Sequence, residues 1–435
     1  MSKNQKAYNE AKSIIPGGTQ LLSKRPEMFV PDGWVNYYTE AKGCEVIDLE
    51  GHKYIDMISM GIGACALGFA DDDVDSAVKK AIDRGSMSSL NCYEEVELAK
   101  QLLKLHPWAE MVRFARCGGE ALAIAVRIAR AYSSKDKVLF CGYHGWHDWY
   151  ISANLASDKS LDGHLLPGLK PKGIPRQLFE TSIPFNYNDV EEFLELSYKH
   201  GDELGAIVLE AVRNSPPDKD FIAAIRAFTQ KKNIAFIVDE VTSGFRLNVG
   251  GAHLIYDIEP DIAVFAKALS NGYPMAAVVG KKQIMQSAQE SFISSTYWTE
   301  RIGPTAALAT INKMKALNVP SHLMKSGKAV QDCWKEKADK HGLKIDISGI
   351  YPLGHFQFLS NNPLLYKTVF TKLMLSHGFL ASTLYYASYA HKDGYIRDYA
   401  NSVDEVFGKM SLMSESDMMA FVDSKVCHSG FKRLN

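Results

Sequence analysis

The chain lacks an apolar run long enough to span a bilayer, and its first residues, MSKNQKAYNEAK, lack the apolar centre of a secretory leader. It also lacks a charge imbalance. Forty-nine basic and 50 acidic residues leave a formal net charge of −1, which gives no electrostatic footprint for nucleic acid or an anionic membrane. The seven cysteines, at 44, 65, 92, 117, 141, 333 and 427, include no C-x-x-C. Their odd number and wide spacing lead us to expect free thiols in a reducing, cytoplasmic setting. Low-complexity tracts and repeats of solenoid period are absent. No G-x-G-x-x-G follows a strand pattern, which argues against a dinucleotide site. The closest histidine pair, His144 and His147, lies on a loop without the i, i+4 helical spacing of a zinc hydrolase or an obvious third ligand, so no metal is expected.

What is present points to a folded catalyst. The 435 residues are 46% hydrophobic and 23% charged, enough for a large domain with a smaller companion. Two short apolar runs, 234–238 and 262–266, each end on one charged residue, Asp239 and Lys267. Runs of this length, rich in Ile, Val and Phe, suit strands buried on both faces of a parallel sheet. Ligands of open α/β sheets sit outside the carboxyl ends of the strands. A carboxylate and an amine at that edge are the parts needed to grip a heteroaromatic nitrogen and to form a Schiff base.

Periodicity predicts helices near 5–15, 72–84, 94–105, 120–132, 189–200, 221–231 and 304–317, the last of these leaving the core. It predicts a hairpin within 43–58 and further strands at 112–115, 137–141, 206–209, 275–280 and 350–358. The alternation of strand and helix implies an α/β fold with a mostly parallel central sheet and helices on both faces, plus a smaller α+β domain. The expected divisions are an N-terminal segment (1–65), a large domain (66–318) and a C-terminal small domain (319–435). Successive strand ends deliver Cys117-Gly118-Gly119, Tyr143, Glu210, Asp239 and Lys267. A Gly-Gly turn opening a helix presents backbone N–H groups at the positive end of its dipole, a ready phosphate site, although the same pair also makes ordinary turns. Tyr143 could stack on a flat ring.

The segment Asp239-Glu240-Val241-x-x-Gly244-Phe245-Arg246, with Ala266-Lys267-Ala268-Leu269-Ser270-Asn271-Gly272 beginning 27 residues after the aspartate, resembles the class III, pyridoxal-phosphate-dependent aminotransferases. The fit is closest to the glutamate-1-semialdehyde 2,1-aminomutase branch, which shares Pro16-Gly17-Gly18, Tyr54-Ile55-Asp56, Met111-Val112-Arg113-Phe114, Arg127-x-Ala129-Arg130-Ala131-Tyr132 and Tyr143-His144-Gly145. The resemblance covers roughly residues 5 to 410. It implies a fold-type I homodimer with active sites at the subunit interface and pyridoxal 5'-phosphate as cofactor. Lys267 would carry the Schiff base, and Asp239 would pair with the pyridinium nitrogen. Val241 would pack behind the ring and Tyr143 in front. Gly118 and Gly119 would donate to the phosphate, and Thr296 would reach the phosphate of the other protomer. Glu210 and Asn214 match a cofactor-side segment of the family.

The departures gather on the substrate side. The family's S-G-T-E-A turn is Cys117-Gly118-Gly119-Glu120-Ala121 here, so a threonine hydroxyl is missing. Lys24 stands where aminomutases place a carboxylate-binding arginine, Tyr386 falls near their C-terminal glutamate, and W-T-E-R-I-G-P replaces their G-G-N-P loop. Lys24, Tyr386, Glu300 and Arg301 are therefore the candidate substrate contacts. The resulting expectation is retained cofactor chemistry on a different substrate: transfer of an amino group from an amino-acid donor to an aldehyde or ketone acceptor, such as a sugar or another biosynthetic intermediate. An intramolecular aminomutase or a racemase is the alternative.

Overall fold

A computed structural model describes residues 1–212 and 214–431. Two compact units divide the chain, residues 72–320 and residues 1–71 with 321–435; the last four residues of the second lie outside the described residues.

The chain opens with helix α1 (Lys3–Ile14), whose N-cap Ser2 side chain accepts from the Gln5 N–H. Strands β1 (Tyr38–Lys42), β2 (Glu45–Asp48) and β3 (Lys53–Asp56) follow as an antiparallel meander. The expected hairpin is β2–β3, and its turn is tied by Asp48 Oδ1, which accepts from the N–H groups of Glu50 and His52.

The unit of residues 72–320 is built around apolar strands. Helices α2 (Asp72–Asp83) and α3 (Tyr93–Leu105) lead to β4 (Met111–Ala115), α4 (Gly118–Ser133) and β5 (Lys137–Cys141). A short helix α5 (Asp148–Ile151), strand β6 (Ser182–Pro184) and α6 (Val190–His200) come next. Then follow β7 (Leu204–Glu210), α7 (Lys219–Lys232), β8 (Ala235–Asp239), β9 (Ile262–Phe265) and β10 (Ala276–Gly280). Helices α8 (Lys282–Met285) and α9 (Ile302–Ala316) complete it.

The seven strands form one sheet in the order β4-β10-β9-β8-β7-β5-β6. Every pair from β9 to β6 is parallel; β10 alone runs against both its neighbours, β9 and β4. One face packs on α4, where Ala121, Ile124, Ala125 and Ile128 join Val138, Phe140, Val208, Ile237 and Val264 in a single core. Ile207, Phe236 and Val238 point to the other face and are also fully buried. Each such side chain contributes about 1.5–3 kcal/mol on burial, which explains why these strands read as unbroken apolar runs. Helix α9 does not leave the core as its position in the sequence suggested. Its Pro304, Ala306, Ala307, Ile311 and Met314 are buried, because small residues let it lie close to its neighbours.

The C-terminal segment returns to the first unit with α10 (Val319–His341), β11 (Ile345–Ser348), β12 (Leu353–Phe358), α11 (Pro363–Ser376), β13 (Phe379–Leu380), β14 (Leu384–Tyr386), α12 (Asp393–Ser411) and α13 (Glu415–Phe421). Strand β13 joins the N-terminal meander beside β3, and β11, β12 and β14 make a small antiparallel sheet. No described helix is long and apolar enough to cross a membrane.

Candidate active site

The parallel register sets the chemistry at one sheet edge. Glu210, the last residue of β7, pairs beside Asp239, the last of β8, and Asp239 pairs beside Val264 of β9. Lys267 follows two residues past β9 and opens a one-turn helix (Lys267–Ser270). Its φ is +48°, a left-handed conformation that costs a non-glycine residue energy and is retained where the surroundings enforce it. The Nζ donates to Thr242 Oγ1 at 2.9 Å. Burial pulls the amine's pKa from 10.5 down to about 8; the Arg246 guanidinium adds to this, while Asp239 and Glu210 oppose it. A neutral, nucleophilic amine is therefore accessible close to physiological pH.

Asp239 is buried, with 4% of its surface exposed. Its Oδ1 accepts from the Val241 N–H at 2.8 Å, and its Oδ2 lies 2.8 Å from His144 Nδ1. His144 is fully buried, and its Nε2 lies 3.1 Å from the Cys141 carbonyl. A carbonyl only accepts, so Nε2 carries a proton, and one further proton lies between Nδ1 and Oδ2. The Tyr143 N–H donates to Glu210 Oε2 at 3.2 Å, while its ring is 42% exposed at the strand end. Burial, then Asp239 and Glu210, raise the pKa of its hydroxyl. Gly142 has a φ of +120°, and a β-carbon there would stand 2.5 Å from Glu210 Oε2, so only glycine brings this loop against the carboxylate.

Gly118 and Gly119 form the first turn of α4. Cys117 and Glu120 cap that turn reciprocally, with the Glu120 carboxylate accepting from the Cys117 N–H at 3.1 Å. The N–H groups of the two glycines have no intrahelical acceptor, as at any helix start. A β-carbon on Gly118 would lie 2.8 Å from Val241 Cγ1, which brings Val241 into contact with the phosphate-type turn.

The remaining candidates are placed as follows. Asn214 is exposed in the loop after β7. Thr296 is exposed at the start of a one-turn helix (Thr296–Thr299). Glu300 forms an ion pair with Arg116, Oε1 lying 2.8 Å from Nε, and accepts from the N–H of Gly303 at 3.0 Å, at the start of α9. Arg301 pairs with Glu94 at 3.1 Å. Lys24 and Tyr386 belong to the unit formed by 1–71 and 321–435, where Lys24 is exposed and the Tyr386 N–H donates to the Ile58 carbonyl at 2.9 Å. Two further residues join the edge without having been assigned a role from sequence, His144 against Asp239 and Thr242 against Lys267. The available signal was their place inside the Tyr143-His144-Gly145 and D-E-V-T-S-G-F-R motifs.

This donor set fits a phosphorylated pyridine aldehyde. A buried amine with a lowered pKa stands within electrostatic reach of a buried carboxylate. A helix start whose first two residues, Gly118 and Gly119, carry no side chain offers N–H groups to a phosphate.

The family described as aminotransferase class-III matches residues 31–359. The 3-aminobutyryl-CoA aminotransferase of Cloacimonas acidaminovorans (strain Evry) is 29% identical over 419 residues, 93% of this chain and 96% of that protein. The glutamate-1-semialdehyde 2,1-aminomutase of Methanocaldococcus jannaschii is 30% identical over 367 residues, 82% of this chain and 83% of that protein. The FumI protein of Sphingopyxis sp. MTA144, solved in its PLP internal aldimine form, superposes with a TM-score of 0.85 over 96% of this chain and 100% of that one; at 21% identity this likeness speaks for the fold. A family match over most of the chain makes this protein a member of the class III aminotransferases, enzymes that work with pyridoxal 5'-phosphate.

Proposed function

We propose that the protein moves an amino group from an amino-acid donor to an aldehyde or ketone acceptor, with Lys267 as the amine that carries the cofactor. The observation that carries this reading is the position of Lys267, two residues past β9 with its pKa lowered to about 8, within electrostatic reach of Asp239 at the end of β8. Bound pyridoxal 5'-phosphate supplies the electron sink that lets a proton leave the amine-bearing carbon of the substrate.

The chain's own groups do the rest. Lys267 Nζ, when free, would be the base that takes the proton from the substrate's amine-bearing carbon and the acid that returns it. Asp239 would hold the ring nitrogen, and the proton it shares with His144 keeps the carboxylate in place. Tyr143 and Val241 would bracket the ring, and the N–H groups of Gly118 and Gly119 would hold the phosphate. Glu210 keeps the Tyr143 loop in register through its bond to the Tyr143 N–H. Asn214 is assigned to the cofactor side with it. Lys24, Tyr386, Glu300 and Arg301 are the candidates for the substrate side, and cytoplasmic biosynthesis is the assigned setting.

A homodimer with shared sites is part of the proposal. Support comes from the exposure of Phe292 (87%) and Tyr297 (71%) on either side of Thr296. Large aromatics in water on a loop are commonly covered by a partner. Thr296 would then serve the phosphate of the second protomer.

Incubation of the purified holoenzyme with glutamate tests the transfer reading. The expected result is stoichiometric release of 2-oxoglutarate or, with another donor, of its keto acid, while the visible absorbance shifts to that of the amine form of the cofactor. The aminomutase reading draws support from the 30% identical relative. It predicts instead a product of unchanged mass with the amine on a neighbouring carbon and no keto acid released.

A further inference from the structure

The first turn of α4 contains no side chain of its own that reaches toward an anion. Gly118 and Gly119 offer only backbone, and the side chains of Cys117 and Glu120 are engaged in the reciprocal cap. A residue from a different loop enters that space. A β-carbon on Gly119 would stand 3.1 Å from both Cε1 and Nδ1 of His147, so the imidazole edge occupies the volume a side chain at 119 would need. The two loops are in close contact there, since a β-carbon on Gly145 would lie 2.9 Å from Gly119 Cα. His147 is held in place. Its carbonyl accepts from the N–H groups of Tyr150 and Ile151, and Trp146 stacks on its ring at 4.6 Å. Its Nδ1 is buried and has no hydrogen-bond partner within the protein. Buried polar atoms are almost always satisfied, so an unmet one beside a phosphate-type turn points to a group the protein chain does not supply.

We propose that His147 supplies the side-chain hydrogen bond to the cofactor phosphate, replacing the hydroxyl that Gly119 cannot provide. Gly119 and His147 then form a matched pair: the glycine makes room and the histidine fills it with a donor. The inference rests on the proposed placement of the phosphate at the start of α4.

Titration of the full-length apoprotein with pyridoxal 5'-phosphate and with unphosphorylated pyridoxal, followed by tryptophan fluorescence, provides the test. His147→Ala is expected to weaken pyridoxal 5'-phosphate binding about tenfold, equivalent to about 1.4 kcal/mol, and to leave pyridoxal binding unchanged. Gly119→Thr alone is expected to weaken it as well, because its side chain competes with the imidazole. The double variant His147→Ala with Gly119→Thr is expected to recover most of the loss. Unchanged affinity in His147→Ala, equal losses for the two ligands, or a double variant no better than His147→Ala would each overturn the inference. A wild-type chain that binds pyridoxal as tightly as its phosphate ester would instead overturn the phosphate placement itself.

Discussion

Asp239 Oδ2 and His144 Nδ1 lie 2.8 Å apart with both side chains buried. Because His144 Nε2 must donate to the Cys141 carbonyl, the pair holds a proton at the end of β8. Replacing His144 with Leu leaves that carboxylate with the Val241 N–H as its side-chain hydrogen-bond partner among the described residues. An unsatisfied buried acceptor costs about 1–3 kcal/mol. His144→Leu should therefore lower stability in denaturant unfolding by that amount and reduce kcat more than it raises KM.

Lys267→Ala should abolish the covalent link to the cofactor and lower turnover by about a thousandfold or more, within the range of losing a positioned general base. Borohydride treatment of the wild-type holoenzyme, followed by peptide mass mapping, should place the added mass on the peptide containing Lys267. Mass on any other lysine would refute the assignment.

The Lys267 pKa of about 8 has a measurable pH signature. In the apoprotein, modification of this amine by an acylating reagent should rise with a midpoint near pH 8, well below that of exposed lysines. Asp239 favours the charged form, so Asp239→Asn should move the midpoint lower. Stability follows with the opposite sense to an ion pair. Below about pH 8 the folded chain must hold a buried ammonium, and between about 8 and 10.5 the unfolded state binds the extra proton. The stability gap between apo wild type and Lys267→Met should therefore narrow as pH rises through that window.

Gly118→Ala places a β-carbon 2.8 Å from Val241 Cγ1. Overpacking of this kind costs about 1–3 kcal/mol. The variant should lose cofactor during dialysis and melt earlier, and Val241→Ala in the same chain should relieve the melting defect. A single variant that retains cofactor like wild type would show that the contact yields.

Glu300 and Arg116 form an ion pair with little exposure on either side chain, 16% and 11%. Breaking a buried pair by removing one partner costs about 3–5 kcal/mol. Glu300→Gln should thus melt earlier. A KM for the acceptor that stays constant would make Glu300 a positioning group for the start of α9, whereas a raised KM without a stability loss would place it on the substrate.

The sequence alone determined the parts whose causes are local. Unbroken apolar runs made β7, β8 and β9 identifiable as buried strands, and the first charged residue past each run marked Asp239 and Lys267. Gly-Gly before an amphipathic stretch announced the start of α4. The tertiary structure decided the rest. It inserted β10 antiparallel between β9 and β4 and added β6 at the edge, outcomes set by loop paths rather than by strand composition. It joined His144 to Asp239 across 95 residues and Lys267 to Thr242 across 25, and it set His147 over Gly119. None of those meetings is encoded in periodicity. Each depends on parallel strands ending at a common edge, so that loops distant in the chain must share one small volume and pair their polar groups there.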